Sequence, residues 1–95
     1  MSLERLVSKY VSSSDHVLKN METIEGLIKI NREAIRKILE HVEAYLEDAK
    51  YYRDRKRFDV SLASVAYCEG LLDALKLLGA VKFEWPERKK EGRRR

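Results

Sequence analysis

Glutamine is absent from this chain, asparagine occurs only at 20 and 31, and cysteine, proline and tryptophan occur once each. A single cysteine, Cys68, excludes an internal disulfide and sets the expectation of a reducing, cytoplasmic compartment. One proline and four glycines exclude collagen-like and low-complexity architectures. The glycines stand isolated at 26, 70, 79 and 92, so no glycine-rich phosphate loop can form. The longest uncharged run, Val60 to Cys68, is less than half a membrane span, and the start Met1-Ser-Leu-Glu-Arg lacks the apolar core of a signal peptide. Scarce amides beside many Glu, Lys and Arg residues are the pattern of proteins from hot environments.

What is present is a chain of 95 residues, 44% apolar and 38% charged, enough for one domain with a modest core. Residues 1–85 carry 14 basic and 14 acidic side chains and are electrically neutral. The whole net charge of +4 sits in residues 86–95, where Arg88, Lys89, Lys90, Arg93, Arg94 and Arg95 face only Glu87 and Glu91. The expected organisation is therefore a folded domain over 1–85 and a basic, disordered tail over 86–95.

Helical periodicity runs through the domain. Leu3, Val7, Tyr10, Val17, Met21, Ile24 and Ile28 step by threes and fours, interrupted only at Ser14, and predict a first helix from residue 3 to about 25 or beyond. The run Ser12-Ser13-Ser14-Asp15 weakens its middle, but the seam stays in register across it. Gly26 and Ile30-Asn31 mark a turn, with Asn31 as the next N-cap. Ile35, Ile38, Val42, Tyr45 or Leu46, Ala49 and Tyr52 predict a second helix over 32–55. Asp59 then reads as the N-cap of a third helix over 60–78, with Phe58 stapled onto Ala63. The short connection predicts that these two helices run antiparallel.

The third helix carries only Glu69, Asp73 and Lys76 as charges, in one narrow stripe, and a helix apolar nearly all round is buried nearly all round. Ala63, Ala66, Gly70 and Ala74 form a small-residue track, suited either to a tight crossing within the domain or to a contact outside it. Gly79 reads as a left-handed cap. Val81, Phe83 and Trp85 then share one side of an extended segment that Pro86 keeps from becoming helical. The expected core includes Ile38, Val42, Leu46, Leu62, Val65 and Leu72.

The stretch Ala44-Tyr45-Leu46-Glu47-Asp48-Ala49-Lys50-Tyr51-Tyr52, followed by Phe58, Ala63, Tyr67, Gly70-Leu71-Leu72-Asp73-Ala74 and Leu78-Gly79, resembles the archaeal "domain of unknown function 357" family. The resemblance covers roughly residues 4–85 and is densest over 44–79. It implies an all-α fold, an antiparallel left-handed three-helix bundle like a spectrin repeat. The family has no assigned activity. Similar domains joined to nucleotidyltransferase-like domains imply an accessory module, but no His-x-Gly-His signature is present to carry nucleotidyl transfer over. The hairpin is also loosely similar to a tetratricopeptide unit and to HEPN-type helical domains.

No residue set here meets the requirements of a catalytic, cofactor or metal site. Arg36-x4-His41 matches the spacing of HEPN ribonucleases, but residues five apart lie about 140° apart around a helix and do not converge. Glu40, His41, Glu43, Glu47 and Asp48 lack the Glu-x-x-His pairs of a bundle di-metal centre, and His16 lacks them too. Cys68 lies in an apolar helix without a basic neighbour and reads as an inert thiol. The cluster Tyr51-Tyr52-Arg53-Asp54-Arg55-Lys56-Arg57-Phe58 has the basic and aromatic character that single-stranded nucleic acid recognises. Its cations equally answer the negative end of a helix dipole.

Two functions are therefore expected in order. The first is a non-enzymatic interaction module, self-associating as a dimer or docking on a partner protein through the third helix. Tyr67, Leu71, Leu75, Leu78 and Trp85 are its candidate contacts. The second is a nucleic-acid-binding accessory protein using Arg53, Arg55, Lys56 and Arg57 with the six cations of the tail; no membrane role is expected. Because residues 1–85 are neutral, deleting residues 87–95 leaves thermal stability unchanged and removes any salt-sensitive binding to polyanions. With six phosphate contacts, log affinity for a single strand falls against log salt with a slope of about −4 to −5. Tight, salt-insensitive binding by the truncated chain contradicts this.

Overall fold

The computed structural model describes residues 2–86, and residues 87–95, the basic tail, lie outside the described part. Three helices, α1 (Leu3–Asn20), α2 (Arg32–Asp54) and α3 (Phe58–Leu77), make an all-α fold with no strand among the described residues.

Each helix begins and ends for local reasons. Ser2 Oγ accepts the Arg5 N–H at 3.1 Å and caps α1. The helix runs unbroken through Ser12–Asp15, as the register of the seam predicts, but it stops at Asn20, short of the expected residue 25. Asn20 turns its amide back onto the His16 carbonyl at 2.8 Å, and Met21 is already extended. Beyond it Thr23 and Ile24 are β-branched, and without packing nothing offsets their poor helical propensity. Asn31 caps α2 as expected, its Oδ1 accepting the Ala34 N–H at 2.8 Å.

The α2–α3 connection differs from expectation at one residue. Helix α3 starts at Phe58 with Arg57 at the cap position and no side-chain cap bond. Asp59 is thus inside the first turn, where its charge faces the positive end of the helix and lies 3.7 Å from Arg57. Phe58 is exposed. Lys56 takes the left-handed conformation (φ 63°), while the Lys56 N–H bonds Arg53 O and the Arg57 N–H bonds Tyr52 O. Helix α3 closes by the same device: Gly79 (φ 77°) bonds Lys76 O and Ala80 bonds Leu75 O. Lysine holds this conformation at a cost of about 1 kcal/mol that glycine does not incur.

Packing between helices is confined to α2 and α3. Ser61 Oγ donates to Ala49 O at 2.7 Å and the Tyr45 and Tyr67 rings meet at 4.5 Å, so α3 returns along α2 from the turn. Val42, Ala49, Cys68 and Leu75 are buried between them, with Ile38, Val65 and Leu72 half-buried alongside. Leu46 lies at the edge of this core and Leu62 faces away from it, 69% exposed, contrary to the expectation for both. Helix α1 buries no residue and makes no packing contact with α2 or α3.

The two extremes of α3 give a direct test. Leu75 is 1% exposed and Leu77 is 88% exposed. Leu75→Ala lowers the unfolding free energy by about 2–5 kcal/mol, and Leu77→Ala by less than about 0.5 kcal/mol. Chemical denaturation of both variants reads the difference, and equal losses refute the packing described.

Candidate functional site

The surroundings of α3 divide into three sectors. One faces α2 through Cys68, Leu75 and the half-buried Leu71 and Leu72. The second is the charged stripe, which is not the wet side of the helix. Residues 81–85 fold back over it: the Trp85 indole N–H donates to Asp73 at 2.9 Å, and Lys76 lies 4.9 Å from the Phe83 ring and 3.6 Å from Glu84. Val81, Phe83 and Trp85 are half-buried while Lys82 and Glu84 are exposed, as their alternation predicts, and the Phe83 and Trp85 rings meet edge-on at 5.0 Å.

The third sector is apolar and open. Leu62, Ala63, Ala66, Gly70, Ala74 and Leu77 are all exposed. A side chain added at Gly70 would meet no atom within 4 Å. The small-residue track therefore faces outward and does not form a tight crossing inside the fold. Tyr67, half-exposed against Tyr45, borders this face, and Leu78 lies exposed at its end.

The candidate contacts thus separate. Tyr67 and Leu78 are accessible and Leu71 partly so. Leu75 is the most buried large side chain among the described residues and belongs to the α2–α3 core, which corrects its placement at an interface. The side of α3 facing α2 and the side facing outward are both apolar, so the pattern of α3 alone does not distinguish them. Trp85 is engaged with its own α3 through Asp73. Ala66, expected in the small-residue track, lies at the centre of the open face, while Leu62, expected in the core, and Leu77, for which no role was expected, are exposed at its two ends.

A second unpartnered surface lies on α1. Leu3, Val7, Tyr10, Val17 and Met21 form its seam, flanked by Val11 and Leu18, and each is more than half exposed. Two shallow apolar depressions run along it, both bordered by Ser14 and Leu18.

Residues 9–81 match the family described as "Protein of unknown function (DUF357)". The chain belongs to that family. No curated protein and no solved structure matches it. The family match spans most of α1, all of α2 and α3, and the start of the extended segment, so in this DUF357 domain the open α3 face lies wholly within the family region.

The remaining candidates fall where local pairing holds them. Arg36 bonds both Glu33 and Glu40; the Glu33 hydrogen bond first, and then the charge of Glu40, raise its pKa above the usual arginine range. His41 lies a different way around α2. Among the described residues no three His, Cys, Asp or Glu side chains gather as a metal site, and no helix is long and apolar enough to cross a membrane. At the turn, Arg53 pairs with Asp54 at 3.1 Å, Arg57 with Asp59, and the Arg55 guanidinium lies 4.2 Å over the Tyr51 ring. These cations share one exposed corner with Lys56. Arg88, Lys89, Lys90, Arg93, Arg94 and Arg95 lie outside the described residues.

Cys68 is 3% exposed, and burial, aided by the Glu69 carboxylate, pushes its thiol pKa up. The native state therefore keeps its proton where an unfolded thiol, of pKa about 8.5, begins to lose it. Stability contributed by this group is intact below that pH and falls as pH rises above it. Denaturation from pH 7 to 10 shows a smaller alkaline loss in Cys68→Ala than in the wild type, and thiol labelling is slow until the chain unfolds. Rapid labelling of the native protein contradicts the burial.

Proposed function

We propose that this DUF357 domain is a non-enzymatic interaction module that self-associates or docks on a partner protein through the outer face of α3. The observation that carries the reading is a continuous apolar face, Leu62 to Leu77, on the helix that also holds the core. Folded monomers seldom leave such a patch in water, and a protein interface is its usual explanation. The small residues of its centre favour close approach of a second helix, and Tyr67 and Leu78 supply larger contacts at its margin. A dimer is the simplest form. A cytoplasmic location, supported by the single buried thiol, and an archaeal, heat-adapted source, supported by composition and by the family resemblance, complete the reading.

Nucleic-acid binding is the second reading, and Arg55 on Tyr51 at an exposed corner favours it. Against it, Arg53 and Arg57 are already paired with carboxylates of their own chain.

Size-exclusion chromatography with light scattering at low and high salt separates the two. The wild type runs above the 11.2 kDa of one chain in both salts. Ala66→Glu, at the centre of the open face, lowers that mass and preserves helical circular dichroism. A wild type at monomer mass at high protein concentration defeats self-association. A mass shift only with added single-stranded nucleic acid, lost at high salt, supports the second reading.

A further inference from the structure

Helix α1 and the outer face of α3 are two halves of one interface that this chain does not close on itself. We infer that the occupant of the α3 face is α1 of a second copy, exchanged reciprocally between two chains; the inference rests on the docking reading above and names its partner.

Surface area supports the inference. The chain exposes 8819 Å², where a compact folded monomer of this mass exposes about 5,700 Å². Allotting residues 87–95 the whole surface of an extended chain, about 1,700 Å², still leaves an excess on the order of 1,400 Å². A standard stable interface buries about 800 Å² on each partner. The excess is thus large enough for a stable dimer.

Shape and charge agree. Helix α1 has 18 residues and α3 has 20, which makes them about 27 and 30 Å long, so one can cover the other from end to end. The α1 seam is built of Val, Leu, Tyr and Met side chains, and the α3 face of Ala and Gly between Leu62 and Leu77, so the small residues receive such side chains as a groove. Residues 1–85 are neutral, so the two folded bodies bring no net charge of their own to the interface.

Topology supplies the route. Residues 21–31 carry no helix and lead away from α1 with Ile24, Leu27 and Ile28 exposed, so α1 stands clear of its own hairpin on a long connection. Exchange of an identical element between two protomers satisfies both chains by the same contacts about a two-fold axis, at little additional cost.

Crosslinking at the centres of the two faces tests this in the full chain. In a Cys68→Ala background with unchanged helicity, chains bearing Ser14→Cys are mixed with chains bearing Gly70→Cys and treated with a short bismaleimide. A covalent heterodimer is expected, and Val11→Cys with Ala66→Cys repeats the test should the first pair disturb the fold. The double variant Ser14→Cys/Gly70→Cys gives interchain products in the exchanged dimer. Crosslinking within single chains at monomer mass overturns both the exchange and the docking reading, since α1 then covers its own α3. A dimer by light scattering without either mixed product overturns the exchange alone and leaves the docking reading standing. A monomer with no product overturns the exchange and confines docking to a different protein.

Discussion

A helix that is apolar around most of its circumference cannot be satisfied by one neighbour, and α3 imposes that constraint on the whole chain. Helix α2 covers one side, placing Cys68 and Leu75 against Val42 and Ala49. The extended segment 81–85 covers another by fastening Trp85 to Asp73 and Phe83 to Lys76. What remains is the open face of Leu62, Ala66, Gly70 and Leu77. The position of the core, the path of the C-terminal segment and the proposed interface are three consequences of one helix being too apolar for its hairpin.

Charge plays a local part in this fold. Lys19–Asp15, Arg36 with Glu33 and Glu40, and Lys50–Glu47 link neighbours on the same helix and are largely exposed, so water screens them and what they add goes mostly to their own helix. Attraction between α2 and α3 rests instead on a small set of buried side chains. A core that small leaves stability sensitive to any partner that binds the folded chain alone, because such binding adds directly to it. Occupation of the α3 face would therefore strengthen the hairpin as well as join two molecules.

The family assignment and the geometry address different questions. Membership of DUF357 places α1, α2 and α3 in a recurring unit without assigning an activity. The one thiol is buried, and Arg36, the candidate phosphodiester-binding cation, is held by two carboxylates.

Much of this was legible in the sequence because it depends on neighbours in the chain. Asn31 as a cap, Gly79 in the left-handed conformation, the span of α2 and the alternation of Val81, Phe83 and Trp85 follow from local hydrogen bonding and backbone sterics. The sequence by itself determined three helices and the apolar character of α3. Tertiary structure alone decided which side of α3 is core, putting Leu75 inside and Leu62 outside, since both sides flanking its charged stripe are apolar. It also decided that Asp73 and Lys76 lie beneath the chain's own C-terminal segment, and that α1 ends at Asn20 with its seam unpartnered. Those outcomes depend on contacts between residues distant in sequence, where burial against a particular neighbour, and no local preference, sets the free energy.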